Sequence, residues 1–134
     1  MLYAILCYHS EATVTSWSKE EDAAVMEKLQ GVKRKLAAEG KLGPSLRLLP
    51  TTAATTLRKS VEPPLVIDGP FAETKEQLLG LYVLDVASLA EALDAARALG
   101  KVNPGGSYEI RPIGYYDPAT PGVVVEEPVR EAAP

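Results

Sequence analysis

One imidazole, one thiol and a short run of carboxylates bound the chemistry open to this chain. Its 134 residues include a single histidine, His9, and a single cysteine, Cys7. A lone histidine can still take and give a proton near neutral pH when a carboxylate orients it. Asp68 and Glu73 are the carboxylates for that role, and Lys75 or Arg111 would hold an anionic substrate group. Gly69 and the Gly105-Gly106 pair would let backbone approach a ligand closely. A competing reading makes His9 a plain surface residue and Asp68-Gly69-Pro70-Phe71 a turn. In that reading Asp68 caps the turn, Gly69 supplies an unusual φ, Pro70 fixes the next one, and Phe71 anchors the loop in apolar surface. Glu73 and Glu76 could instead open a short helical turn capped by Thr74 or Asp68. One cysteine excludes an internal disulfide and a cysteine-built zinc site, and one histidine excludes a His-rich metal site within a protomer. No metal or cofactor is expected. Nothing resembles a phosphate loop, a nucleophile elbow or a dinucleotide fingerprint.

The elements that must position these groups are legible from patterning. Leu2 to Tyr8 is apolar on both faces, which suits a central strand covered on both sides. Cys7 sits inside that run and reads as a small core hydrophobe. A polar loop, His9-Ser10-Glu11, follows. Ser18 and Glu21 form a capping box, and Met26, Leu29, Val32 and Leu36 recur at helical spacing, so the spacing predicts a helix from about Lys19 to Glu39, stopped by Gly40. Trp17, just before the cap, reads as a hydrophobic staple, and Lys33-Arg34-Lys35 as a solvated helix face. Leu42 to Leu49 predicts a second strand. Ala53 to Arg58 and Leu65 to Ile67 predict a small hairpin. Gly80 to Val86 reads as another strand, Ser88 and Glu91 as a second capping box, Leu89 to Leu99 as a second helix ended by Gly100, and Ser107 to Ile113 as the last strand. The tyrosines Tyr3, Tyr8 and Tyr82 read as strand packing, and Tyr115-Tyr116 as an interface pair.

This order is β-α-β, a hairpin, then β-α-β: an α+β chain with the ferredoxin-like pattern of a split βαβ pair. Helices on one face leave the other face of the sheet needing a cover, so a homodimer is expected. The strand order also brings His9-Ser10-Glu11, the segment from Asp68 to Gln77 and the segment from Asn103 to Ser107 to one end of the sheet. The domain is read as 1–116, with 117–134 a tail that is extended or docks on the partner subunit; Val123-Val124-Val125 could add an edge strand. Eighteen acidic against fourteen basic residues give a formal charge of −4, which disfavours nucleic acid as a partner. The apolar N-terminal run is too short to span a membrane, and a free thiol within it suits a cytoplasmic protein.

Asp68-Gly69-Pro70-Phe71-Ala72-Glu73-Thr74-Lys75-Glu76, followed by Gly80 and the strand to Val86, resembles the signature of the DGPF proteins, a branch of the YCII-related family. Thr55-Thr56-Leu57-Arg58, Ser88-Leu89-Ala90-Glu91-Ala92 and Gly105-Gly106-Ser107-Tyr108-Glu109-Ile110-Arg111-Pro112-Ile113 extend the likeness over most of residues 1–113. The resemblance implies a ferredoxin-like fold pairing into a dimeric α/β barrel. Many bacterial members are associated with extracytoplasmic-function sigma factors, which implies a link to regulation. A related YCII-type protein is a dehydrochlorinase, and the wider family is associated with His–Asp acid/base chemistry. The YCII-type histidine belongs in the first loop or helix, where this chain has Trp17 and Ser18. His9 therefore does not inherit the role, and Asp68 has the best claim to a site. Two functions are expected on this basis. One is a small-molecule proton-transfer enzyme of lyase or isomerase type with a pocket at the Asp68 loop. The other is a non-catalytic ligand-binding or regulatory protein that partners a sigma factor.

Overall fold

Strand β1, Leu2–His9, turns Tyr3, Ile5 and Cys7 to one side and Leu2, Ala4 and Leu6 to the other, as alternation in a strand requires. The first set enters the hydrophobic core; the second does not. A computed structural model describes residues 1–119. In it β1 is central. It pairs antiparallel with β5, Gln77–Asp85, on one side and with β6, Ser107–Pro112, on the other. Strand β2, Leu42–Arg47, joins the outer edge of β5, giving the order β2-β5-β1-β6. That antiparallel order is compatible with the ferredoxin-like pattern. Pro44 sits in an edge strand, where its missing N–H is harmless.

Two helices cover one face: α2, Lys19–Ala38, and α3, Leu89–Lys101. Leu29 and Leu36 of α2 meet Ala92, Ala96 and Leu99 of α3 over Ile5 and Leu84. Helix α2 starts at a complete capping box: the Ser18 hydroxyl accepts from the Glu21 N–H at 3.0 Å, and the Glu21 carboxylate accepts from the Ser18 N–H at 2.9 Å. It ends in a Schellman motif. The Lys41 and Gly40 N–H groups return to the Leu36 and Ala37 carbonyls, with Gly40 at φ +72°. At α3 the expected box is only half made. Ser88 accepts from the Glu91 N–H, but the Glu91 carboxylate accepts from Ala87, one residue before the cap.

Several expected boundaries shift. The loop after His9 contains a short helix, α1, Glu11–Thr15, because the Ser10 hydroxyl accepts from the Thr13 N–H. Strand β2 stops at Arg47 rather than Leu49. The hairpin forms as predicted, from β3, Thr55–Arg58, and β4, Leu65–Asp68. It stands apart as its own two-stranded sheet, here called the arm. Glu73 and Glu76 open no helical turn, and Phe71 anchors nothing within the protomer: it is 81% exposed. No helix among the described residues is long and apolar enough to cross a membrane. The suggested strand at Val123-Val124-Val125 lies outside the described residues.

Candidate functional site

The β1 strand ends where β2 also ends and where β5 and β6 begin, so four chain segments meet at one end of the sheet. A bulge after Cys7 shifts the β1–β5 register there, and such bulges re-aim side chains. Between this end of the sheet and the α1–α2 segment lies a cleft of about 250 Å³. It occupies the helix side of the sheet.

His9 lies at the rim, and its bonds fix its state. The Ser10 N–H donates to Nδ1 at 2.7 Å, so Nδ1 carries a lone pair. Nε2 is then the protonated nitrogen, and it donates to the Pro104 carbonyl at 3.1 Å. Both ring nitrogens are thus engaged by backbone groups. Gly105-Gly106, expected to let backbone approach a ligand, approach His9 and the end of β1. A β-carbon on Gly105 would stand 2.7 Å from His9 Nε2, and one on Gly106 2.4 Å from the Tyr8 carbonyl oxygen. Both glycines have positive φ, +76° and +79°. The two glycines let the 103–106 loop close over His9.

Trp17 meets the His9 ring edge-on, with centroids 6.1 Å apart. It is not a staple. The staple partner would be the fourth helical residue, which is Asp22 and not apolar. Trp17 lines the cleft instead, beside Val14 of α1 and Val25, Met26 and Leu29 of α2. Lys33 also lines it, so only Arg34 and Lys35 of the basic run are fully exposed. Asp22 faces Arg47 across the mouth in a two-point ion pair, 2.9 and 3.4 Å.

The floor is made by the sheet. Cys7, Tyr82 and Tyr108 share its helix-facing side, with Gly80 directly opposite Cys7. Burial pushes the Cys7 thiol up to about 12, so it remains protonated and is no nucleophile. Burial also pushes the Tyr82 hydroxyl up; Tyr108 and Cys7 reinforce this and Arg47 partly offsets it. Tyr108 is raised by burial first, against the bond that Asn103 Nδ2 donates to its oxygen at 3.0 Å. All three are neutral donors over the ordinary pH range. The chemistry this arrangement offers is hydrogen-bond donation to an acceptor atom inside a mostly apolar cavity.

Of the residues expected at a site, His9 lines the cleft and the other four do not. Asp68 is exposed at the base of the arm, paired in register with Thr55. Glu73 and Lys75 are exposed in the segment that leads into β5, and Arg111 is exposed on β6. The convergence inferred from strand order holds for His9, the 103–106 loop and Gln77, whose side-chain oxygen accepts from the Glu11 N–H at 2.9 Å. Glu11, not Asp68, is the carboxylate fixed beside that end. It takes bonds from the Thr51 N–H and hydroxyl, which ties α1 to the approach of the arm. Trp17 as a staple, Tyr82 as strand packing and Lys33 as part of a solvated face are the sequence readings that the cleft corrects, and Tyr108 has no role of its own in them. The one signal of the cleft was the missing apolar partner for Trp17.

The model of the YCII-related domain matches residues 1–115, and the chain is a member of that family. A relative, an uncharacterised protein of Rhizobium meliloti (strain 1021), is 60% identical over 119 residues, covering 88% of this chain and 96% of that protein.

Proposed function

We propose that this chain, as a member of the DGPF branch, is a cytoplasmic homodimer that binds a small organic molecule in the cleft and moves a proton on it, in a lyase- or isomerase-type reaction. The observation that carries this reading is the cleft itself: apolar walls of α1 and α2 over a floor of two neutral phenols, with an imidazole at the rim. Tyr82 or Tyr108 would donate to a substrate carbonyl, which makes the adjacent C–H more acidic. His9 serves as base once Nδ1 is released by the Ser10 N–H. Asp68, the motif carboxylate, is exposed at the base of the arm outside the cleft, and its claim as a second base rests on the motif alone. The half-apolar open face of the sheet, with Ala4, Leu6 and Leu81, supports pairing with a second copy into an α/β barrel.

Proton abstraction is tested by incubating the protein with a panel of carbonyl compounds in D₂O. Wild-type protein should wash deuterium into at least one compound at carbon, and Tyr82→Phe should slow the exchange roughly a hundredfold, the scale of one lost transition-state donor. Asp68→Asn separates the two bases: if Asp68 is the base, exchange is lost while binding persists. Binding without any exchange would contradict the enzymatic reading.

The arm favours a second reading. Leu57, Leu65 and Val66 are 59%, 52% and 70% exposed on a hairpin that is marginal alone, and Phe71, in the segment that follows β4, is 81% exposed. A protein partner such as an extracytoplasmic-function sigma factor would cover that surface. Under this reading a purified sigma factor from the same genome binds the wild-type protein and fails to bind Phe71→Ser with Val66→Ser.

A further inference from the structure

The cleft differs in charge from the molecule that carries it. The whole chain has a formal charge of −4. The side chains ionised around the cleft are Lys33, Arg47 and Asp22, a surplus of one cation. Asp22 is already engaged by Arg47. Lys33 is half-buried and has no ion pair among the described residues. An anion entering the cleft would find in this unpaired ammonium a counter-charge.

The hydroxyls add to this bias. Tyr108 accepts from Asn103 and keeps its own proton for another acceptor. Tyr82 makes no hydrogen bond among the described residues, its oxygen is not sealed off, and the residue lines the cleft. The cleft thus presents donors and a cation at its polar points. Beside these, His9, Ser45, Asn103 and the Asp22–Arg47 pair are polar, and most of the remaining lining, Trp17, Met26 and Leu29 among it, is apolar. An inorganic anion would leave those walls unsatisfied, and a neutral hydrocarbon would leave the donors and Lys33 unsatisfied.

Taking the cleft as the ligand site proposed above, we propose that it selects small apolar carboxylates, with Lys33 and the Tyr82 hydroxyl reading the carboxylate and the α2 side chains holding the hydrocarbon body. Trp17 is the single tryptophan of the chain and lines the cleft, so its fluorescence reports occupancy. The test is a fluorescence titration with benzoate, benzamide and benzylamine, which share one ring and differ in charge. Benzoate should give a saturable change, and benzamide should bind roughly tenfold more weakly, the equivalent of one charge-assisted hydrogen bond. Benzylamine should bind least. Lys33→Gln should weaken benzoate by about the same factor and leave benzamide unchanged. Arg97→Gln, on the exposed face of α3, should change nothing. Benzamide or benzylamine binding as tightly as benzoate overturns carboxylate selection while leaving the cleft a ligand site. Benzoate binding that survives Lys33→Gln intact overturns the role of Lys33. No saturable signal from any of the three overturns both the selection and the reading of the cleft.

Discussion

His9 shows how much a side chain's backbone partners decide about its chemistry. Its type and position mark it for proton transfer, yet both ring nitrogens are held by main-chain groups of Ser10 and Pro104. That tie makes it first a fastener between the end of β1 and the 103–106 loop. His9→Ala should therefore destabilise the fold by about 1 kcal/mol, read from a urea midpoint, whatever it does to turnover. The thiol gives a second test. With its ionisation pushed up to about 12, Cys7 should react with iodoacetamide at pH 8 at least on the order of a hundredfold more slowly than a free cysteine. The sign for stability follows. The preference for the neutral thiol is fully expressed below the unfolded value near 9.0 and is lost as pH rises from there toward 12, so stability falls in that window and Cys7→Ala flattens the fall. At this scale the sequence was partly legible. Strand order placed His9 beside the Gly105-Gly106 loop. It did not place Lys33 or Tyr82 at a cavity, because that depends on how far α2 stands off the sheet, and residue type does not encode that distance.

Signals at element ends are legible in the sequence because they are made by residues a few positions apart. Ser18 and Glu21 cap α2 as their spacing required, and Gly40 ends it with the expected left-handed φ. Ser18→Ala should cost about 1 kcal/mol. Gly106 should be the more sensitive position. A side chain there meets the Tyr8 carbonyl and must hold a left-handed backbone, so Gly106→Ala should cost about 2 kcal/mol or more by the same urea titration. Gly80 is similar in kind. Its β-carbon would stand 2.3 Å from the Leu46 carbonyl oxygen, so the strand opposite it can close only on a glycine. Helix α1 escaped notice because five residues carry too little periodicity to register. The half-made box at Ser88 escaped for a different reason: spacing shows which residues can meet, not which N–H the glutamate will choose.

For the whole molecule the unequal covering of the sheet is the governing fact. One face packs on α2 and α3; the other presents Ala4, Leu6 and Leu81 with no covering layer among the described residues. The arm adds its own exposed apolar residues. The apolar character of Leu2 to Tyr8 on both faces announced that imbalance in the sequence, but nothing in a hairpin's pattern says whether it folds back on its own domain or stands away. If a second copy supplies the cover, light scattering gives twice the chain mass, and Leu6→Lys returns it to one chain while the far-UV spectrum is unchanged. A single-chain mass for the wild-type protein would contradict the dimer.

The cleft between α2 and the sheet is the proposed place of small-molecule binding. Backbone amide shifts followed by NMR during titration with benzoate test that most directly. The shifts should concentrate at Trp17, Gly80, Tyr82, Gly105 and Tyr108, which line the cleft. Shifts confined to the arm around Val66 and Phe71, or to the open face at Ala4 and Leu81, would contradict it.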